Sequence, residues 1–168
     1  MIYPFHRRRL SRALAVEAIY NSELMEKPIK EAFGEIVSLK RSYFESIISE
    51  IKNQKVRSKF EDDLNNWDSI VNFSKKIIDS YEQNLEKIEN ILRQNITGSW
   101  EYERVYNLEK AILKTAIAEA ISLDTPYKVI ISEALKISEY FLSTESLKFI
   151  NAILDKTIKK LMSEVSNH

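Results

Sequence analysis

Residues Thr125–Lys156 read TPYKVIISEALKISEYFLSTESLKFINAILDK, and this stretch decides the fold class. Thr125 can N-cap a helix that carries Pro126 in its first turn, where a missing N–H costs nothing. Val129, Ile131, Ala134, Leu135, Ser138 and Phe141 then recur at short helical steps and predict one apolar stripe. A second start signal follows at Ser143-Thr144, with Glu145 well placed against the helix dipole. Leu147, Ile150, Ile153, Leu154, Ile158 and Leu161 form the next stripe. Two helices with so short a connection must pack on each other, so the stretch predicts a helical hairpin.

Composition extends that reading to the whole chain. Its 168 residues are enough for one domain or two closely packed subdomains. Two glycines and three prolines, in a chain 44% hydrophobic and 30% charged, predict an all-α protein. Net charge is zero, but Arg7, Arg8, Arg9 and Arg12 fall within the first twelve residues with no acid among them. The remaining residues then carry 21 basic and 25 acidic groups, a net of −4. Such a cluster of cations is poorly placed for the dipole of the helix it opens.

The segments follow in order. Phe5–Leu24 predicts a first helix, with Leu10, Leu14 and Ala18 on its apolar face. Pro28 opens a second, continuing to about Lys52. Asn53–Asn66 is the most polar part and reads as a helix end, an exposed helical turn or a mobile loop. From Trp67 the pattern gives one long helix or two, divided near Glu82–Asn84. Gly98 supplies a C-cap at the clearest internal boundary, which separates halves 1–97 and 101–163. A further helix after Glu101 runs through Val105, Leu108, Ile112 and Ile117 until Asp124.

Catalysis finds little support. The two histidines, His6 and His168, sit near opposite ends, and the chain has no cysteine, P-loop or GxGxxG. No catalytic, metal or cofactor residue is therefore expected. No apolar run approaches the roughly 20 residues that span a bilayer, and the start lacks a signal-peptide core, so a cytoplasmic, non-membrane protein is expected. RNA binding has more support. Arg forks onto phosphates, while aromatic rings stack on unpaired bases. Arg7, Arg8, Arg9 and Arg12 with Tyr3, Phe5 and Tyr20 supply both, although helical spacing also fits Tyr20 to core packing.

The quoted stretch resembles the C-terminal signature of the NusB family of transcription antitermination factors. The matching positions are Leu108–Leu113, Glu119, Pro126, Lys128-Val129, Glu133-Ala134, Phe141, Ser146, Lys148-Phe149, Asn151 and Leu154-Asp155. RRLSRALAVEAIY similarly resembles the family's opening. The resemblance implies a single domain of two packed three-helix bundles, about seven helices, with Lys40–Asn65 as an extended helical insert. It implies binding of boxA-type single-stranded RNA from ribosomal RNA leader transcripts, together with NusE, within the RNA polymerase antitermination complex; it also admits a homodimer.

Carried over by position, the RNA surface is Arg7, Arg8, Arg9, Arg12, Tyr20, Glu145, Lys148 and Phe149. Four phosphate contacts to a single strand predict a log–log salt slope of about −2.8. Ser132, Leu142 and Ala152 depart from the family pattern of Asn, Gly and Gly. Leu142 replaces a residue that tolerates positive φ, so a differently shaped turn is expected there. The competing class is a non-catalytic helical adaptor that binds NusE, or another protein, without specific RNA.

Overall fold

The computed structural model describes residues 6–97 and 101–166, and within these every regular element is helical. The helices are α1 (Arg7–Leu24), α2 (Ile29–Ile47), α3 (Gln54–Asn65), α4 (Trp67–Gln83), α5 (Leu85–Asn95), α6 (Asn107–Ser122), α7 (Tyr127–Phe141) and α8 (Thr144–Ser166). Short 3₁₀ turns occupy Ile48–Glu50 and Tyr102–Arg104. The predicted Gly98 cap and the aromatics Tyr3 and Phe5 lie outside the described residues. The chain forms two compact units, Met1–Lys75 and Lys76–His168.

In the first unit, α1 buries Leu10, Ala13, Leu14 and Ala18 completely. Small side chains let α4 come close: Ser74 donates its hydroxyl hydrogen bond to the Ser11 carbonyl, and the Ser11 hydroxyl lies 2.8 Å from the Ile70 carbonyl. α2 faces the same core with Ala32, Ile36 and Phe44. It ends at Ile47, short of Lys52, and tightens into the first 3₁₀ turn. Gly34 stands in open space on α2, so its cost stays that of a helical glycine, under about 1 kcal/mol.

The polar Asn53–Asn66 segment is a regular helix, which accounts for one helix more than the seven expected. Asn53 caps it by accepting from the backbone N–H groups of Lys55 and Val56 at 3.0 and 3.2 Å. Its anchor is Phe60, which meets Phe44 edge-on at 4.7 Å, while Phe44 meets Trp67 at 5.7 Å. Only Phe60 and Asp63 of α3 are buried.

The α1–α2 connection is a Schellman turn, in which the Lys27 N–H donates to the Ser22 carbonyl at 2.9 Å. Glu26 holds its left-handed position at φ 52°, a site that favours glycine. Glu26→Gly is therefore expected to stabilise the protein by about 0.5–1 kcal/mol, the strain relieved less the glycine entropy. A rise in thermal midpoint checks this, and a fall would mean that the Glu26 side chain contributes contacts outweighing the strain.

In the second unit α6 is the central helix, buried at every position from Ala111 to Ala120. Its Ala-rich face is therefore closed against α5, α7 and α8. Ser80 ties α4 to α6, its hydroxyl 2.6 Å from the Ala118 carbonyl. The helix expected directly after Glu101 starts later, at Asn107, because Val105 is extended between the 3₁₀ turn and α6.

The α7–α8 hairpin forms as expected, with two corrections. Pro126, not Thr125, closes the first turn of α7, its carbonyl accepting from Val129 and Ile130 at 3.0 and 3.2 Å. The inward stripe is Ile130, Ala134, Ile137 and Ser138, a strict i, i+4, i+7, i+8 pattern, while Val129 is exposed. α8 keeps its predicted stripe, with Ile150, Ile153, Leu154, Ile158 and Leu161 buried. At the turn Leu142 has φ −126° and ψ 167°, ordinary extended backbone that needs no glycine.

Candidate nucleic-acid interface

Consecutive helical residues point about 100° apart, so Arg7, Arg8, Arg9 and Arg12 cannot share one face of α1. The first unit gives them different environments. Arg7 reaches α3 and grips Asp62 with two nitrogens, at 3.1 Å from Nε and 3.0 Å from Nη2. The four cations that look unopposed in sequence thus include one met by an acid 55 residues further on. Both partners are about half-exposed, so the pair contributes on the order of 0–1 kcal/mol and can yield to a phosphate. Arg8 lies over the Phe73 ring at 4.3 Å, and Arg12 lies 5.3 Å from the same ring. Arg8 is exposed, Arg9 is half-buried, and Arg12 is only 7% exposed, so Arg12 is mainly a packing residue. Tyr20 is half-buried further along α1. Arg8, Arg12 and Phe73 form a cation–aromatic platform at the start of α1.

The second unit collects the other three carried-over residues around one cleft. Glu145, Lys148 and Phe149 occupy the first turns of α8 and line a cavity of about 440 Å³. Glu145 and Lys148 are exposed and Phe149 is half-buried. Its opposite wall is the segment before α6, which supplies Arg104, Val105 and Tyr106.

Glu109 holds the two walls together. It is 6% exposed in the first turn of α6, accepting from the Tyr106 backbone N–H, as a capping-box glutamate does, and from the Ser146 hydroxyl of α8. Burial pushes its carboxyl above the ordinary value of 4.5, against the lowering effect of those two hydrogen bonds. Ser143 starts α8, its hydroxyl 3.4 Å from the Ser146 N–H.

Tyr102 fixes the segment that makes the far wall. It is 6% exposed and donates its phenol hydrogen bond to Glu89, which also receives Lys114 at 3.3 Å. The Arg93 guanidinium and the Lys110 ammonium lie 4.4 and 4.3 Å from the Tyr102 ring centre. Arg104 and Tyr106 escaped the sequence reading. They precede the Leu108–Leu113 match, and nothing local in sequence says that Tyr106 stays 71% exposed.

Among the described residues no helix is long and apolar enough to cross a membrane, and no cluster of three His, Cys, Asp or Glu side chains is placed to hold a metal.

The architecture is that of a NusB-fold helical protein. It aligns with a TM-score of 0.66 and 20% identity to a chain in the crystal structure of antitermination factors NusB and NusE in complex with dsRNA, covering 92% of this chain and 97% of that one. The chain belongs to the NusB family, a family of non-catalytic transcription antitermination factors, whose model matches residues 9–159. It is 33% identical over 153 residues to the transcription antitermination protein NusB of Buchnera aphidicola subsp. Cinara cedri, covering 90% of each. It is 28% identical over 158 residues to that of Chloroherpeton thalassium, matching 94% of this chain but spanning only 64% of that relative's length.

Proposed function

We propose that the chain is an RNA-binding antitermination factor that takes boxA-type single-stranded RNA of ribosomal RNA leader transcripts together with NusE, within a cytoplasmic RNA polymerase antitermination complex. The observation that carries this reading is the Arg8–Phe73–Arg12 platform, which sets a guanidinium plane at the surface beside further cations. The family's antitermination role and the likeness to a chain of a NusB and NusE complex solved with dsRNA support it.

One observation favours the protein-only adaptor instead: Arg7 is engaged by Asp62, and Arg12 is packed, which leaves fewer exposed cations than the sequence suggests. The salt dependence of binding separates the two. Fluorescence anisotropy of a labelled boxA RNA, with and without NusE at several salt concentrations, should show binding that NusE tightens. Arg8→Gln combined with Arg9→Gln should flatten the log–log slope by about 1.4, or 0.7 for each lost phosphate contact. Asp62→Asn, which frees Arg7, should steepen the slope by up to about 0.7. An unchanged slope in the double variant places the RNA elsewhere. Capture of NusE with no gain for RNA leaves the adaptor.

A further inference from the structure

We infer that Tyr106 and Arg104 form an additional RNA subsite, in which an unpaired nucleobase stacks on Tyr106 and its neighbouring phosphate sits between Arg104 and Lys148. This rests on the RNA-binding reading above and adds to it residues that lie outside the matched signature.

Three observations meet here. First, Tyr106 keeps 71% of its surface in solvent at the start of a helix, where an aromatic ring adds nothing to capping. Second, it lines a concave cleft of about 440 Å³ whose walls combine the rings of Tyr106 and Phe149 with the cations of Arg104 and Lys148 and the carboxylates of Glu109 and Glu145. A phosphate is thus placed by the two cations and a base edge by the acids. That combination recognises the face of a base and the phosphate beside it. Among the described residues Arg104 pairs with Glu101, at 3.5 Å with both side chains mostly exposed, a contact that a phosphate readily displaces.

Third, the cleft is built in advance. Tyr102 pins the 3₁₀ turn through Glu89, Arg93 and Lys110, and Glu109 links the Tyr106 backbone to Ser146 on the other wall. A base entering the cleft therefore meets a ring whose backbone is already fixed, so little ordering entropy opposes stacking. Glu89, Tyr102 and Glu109 are positioning residues. Tyr106 and Arg104 touch the ligand.

The test uses the full chain and a single-stranded boxA RNA carrying 2-aminopurine at one position at a time. One position should be quenched on binding by the wild type and stay bright with Tyr106→Ala. Tyr106→Ala should bind about 10-fold more weakly with its salt slope unchanged, since stacking releases no counterions. Tyr106→Phe should restore both the affinity and the quench. Arg104→Ala should instead flatten the slope by about 0.7. An unaltered thermal midpoint in Tyr106→Ala would show that the loss is not one of folding.

Equal binding by the wild type and Tyr106→Ala overturns the subsite while leaving the Arg8 and Arg9 arm to stand. Tyr106→Phe as weak as Tyr106→Ala also overturns it, because the ring face would then not be what matters. If Tyr106→Ala loses NusE but keeps RNA, the cleft is a protein surface and the inference fails. If the wild type binds no RNA, both readings fall.

Discussion

Phe60→Ala should cost the protein about 3–5 kcal/mol, the range for removing a buried aromatic ring. Against a total stability on the order of 5–15 kcal/mol, that is enough to unseat a helix. The reason lies in how little else holds α3. Its only buried side chains are Phe60, which packs edge-on against Phe44, and Asp63, which pairs with Lys59 at 2.7 Å. The Lys59 ammonium lies 4.7 Å from the Phe60 ring, so losing the ring also removes the surface that orients this pair. With α3 loosened, Asp62 leaves Arg7. The variant should therefore combine a lowered denaturation midpoint, faster amide exchange throughout α3, and a red shift in emission from Trp67, which is 3% exposed beside Phe44. Phe60→Leu, which keeps most of the volume, should cost only about 1–2 kcal/mol. A Phe60→Ala protein that melts within about 1 kcal/mol of wild type, with α3 amides still protected, would remove Phe60 as the anchor.

That anchor shows where sequence reading loses its grip. In α8 the apolar residues Ile150, Ile153, Leu154, Ile158 and Leu161 keep one helical period, and the expected face is the buried one. In α7 apolar residues flank the true stripe on both sides. The expected stripe holds Ala134 and Ser138, which are buried, but takes Val129, Ile131 and Leu135 where the fold buries Ile130 and Ile137. α3 is harder still: Val56, Phe60 and Leu64 keep an i, i+4, i+8 spacing among nine polar residues, but of the three only Phe60 is buried. The readable sign was Asn53, whose side chain accepts two backbone N–H groups as an N-cap should. Propensity also misplaced the start of α6, because Val105 is apolar and buried yet extended.

The candidate site divides in the same way. The cluster of Arg7, Arg8, Arg9 and Arg12 is plain in the sequence, but their different fates depend on Asp62 and Phe73, more than 50 residues distant. Glu145, Lys148 and Phe149 were carried over as neighbours on one helix turn, and they do line one cleft. Its second wall belongs to another element, and long-range packing of Tyr102 decides what that wall presents. Local spacing carries no record of such contacts.

The second large effect is expected at a buried ion pair in the first unit. Lys40, with a side chain 8% exposed, reaches Glu17 at 3.4 Å, and Glu17 is 23% exposed. Burial raises the Glu17 carboxyl above 4.5, while attraction and a hydrogen bond from Lys40 pull it back only in part. A carboxyl whose folded value is raised favours the uncharged form in the fold. Its penalty is absent below 4.5, grows as pH rises from there to the folded value, and is complete above it. Lys40→Met deletes both lowering influences, so that penalty must increase. The variant should match or exceed wild type near pH 4, where wild-type Lys40 is itself buried beside an uncharged Glu17. By neutral pH it should be destabilised by about 2–3 kcal/mol, less than for a fully buried pair because Glu17 keeps some water. Adding Glu17→Gln should recover most of that loss at pH 7, since no charge is then left stranded, and the double-mutant cycle measures the coupling. Equal destabilisation of Lys40→Met at pH 4 and pH 7 would assign the effect to packing of the lysine stem, and the charge argument would fail.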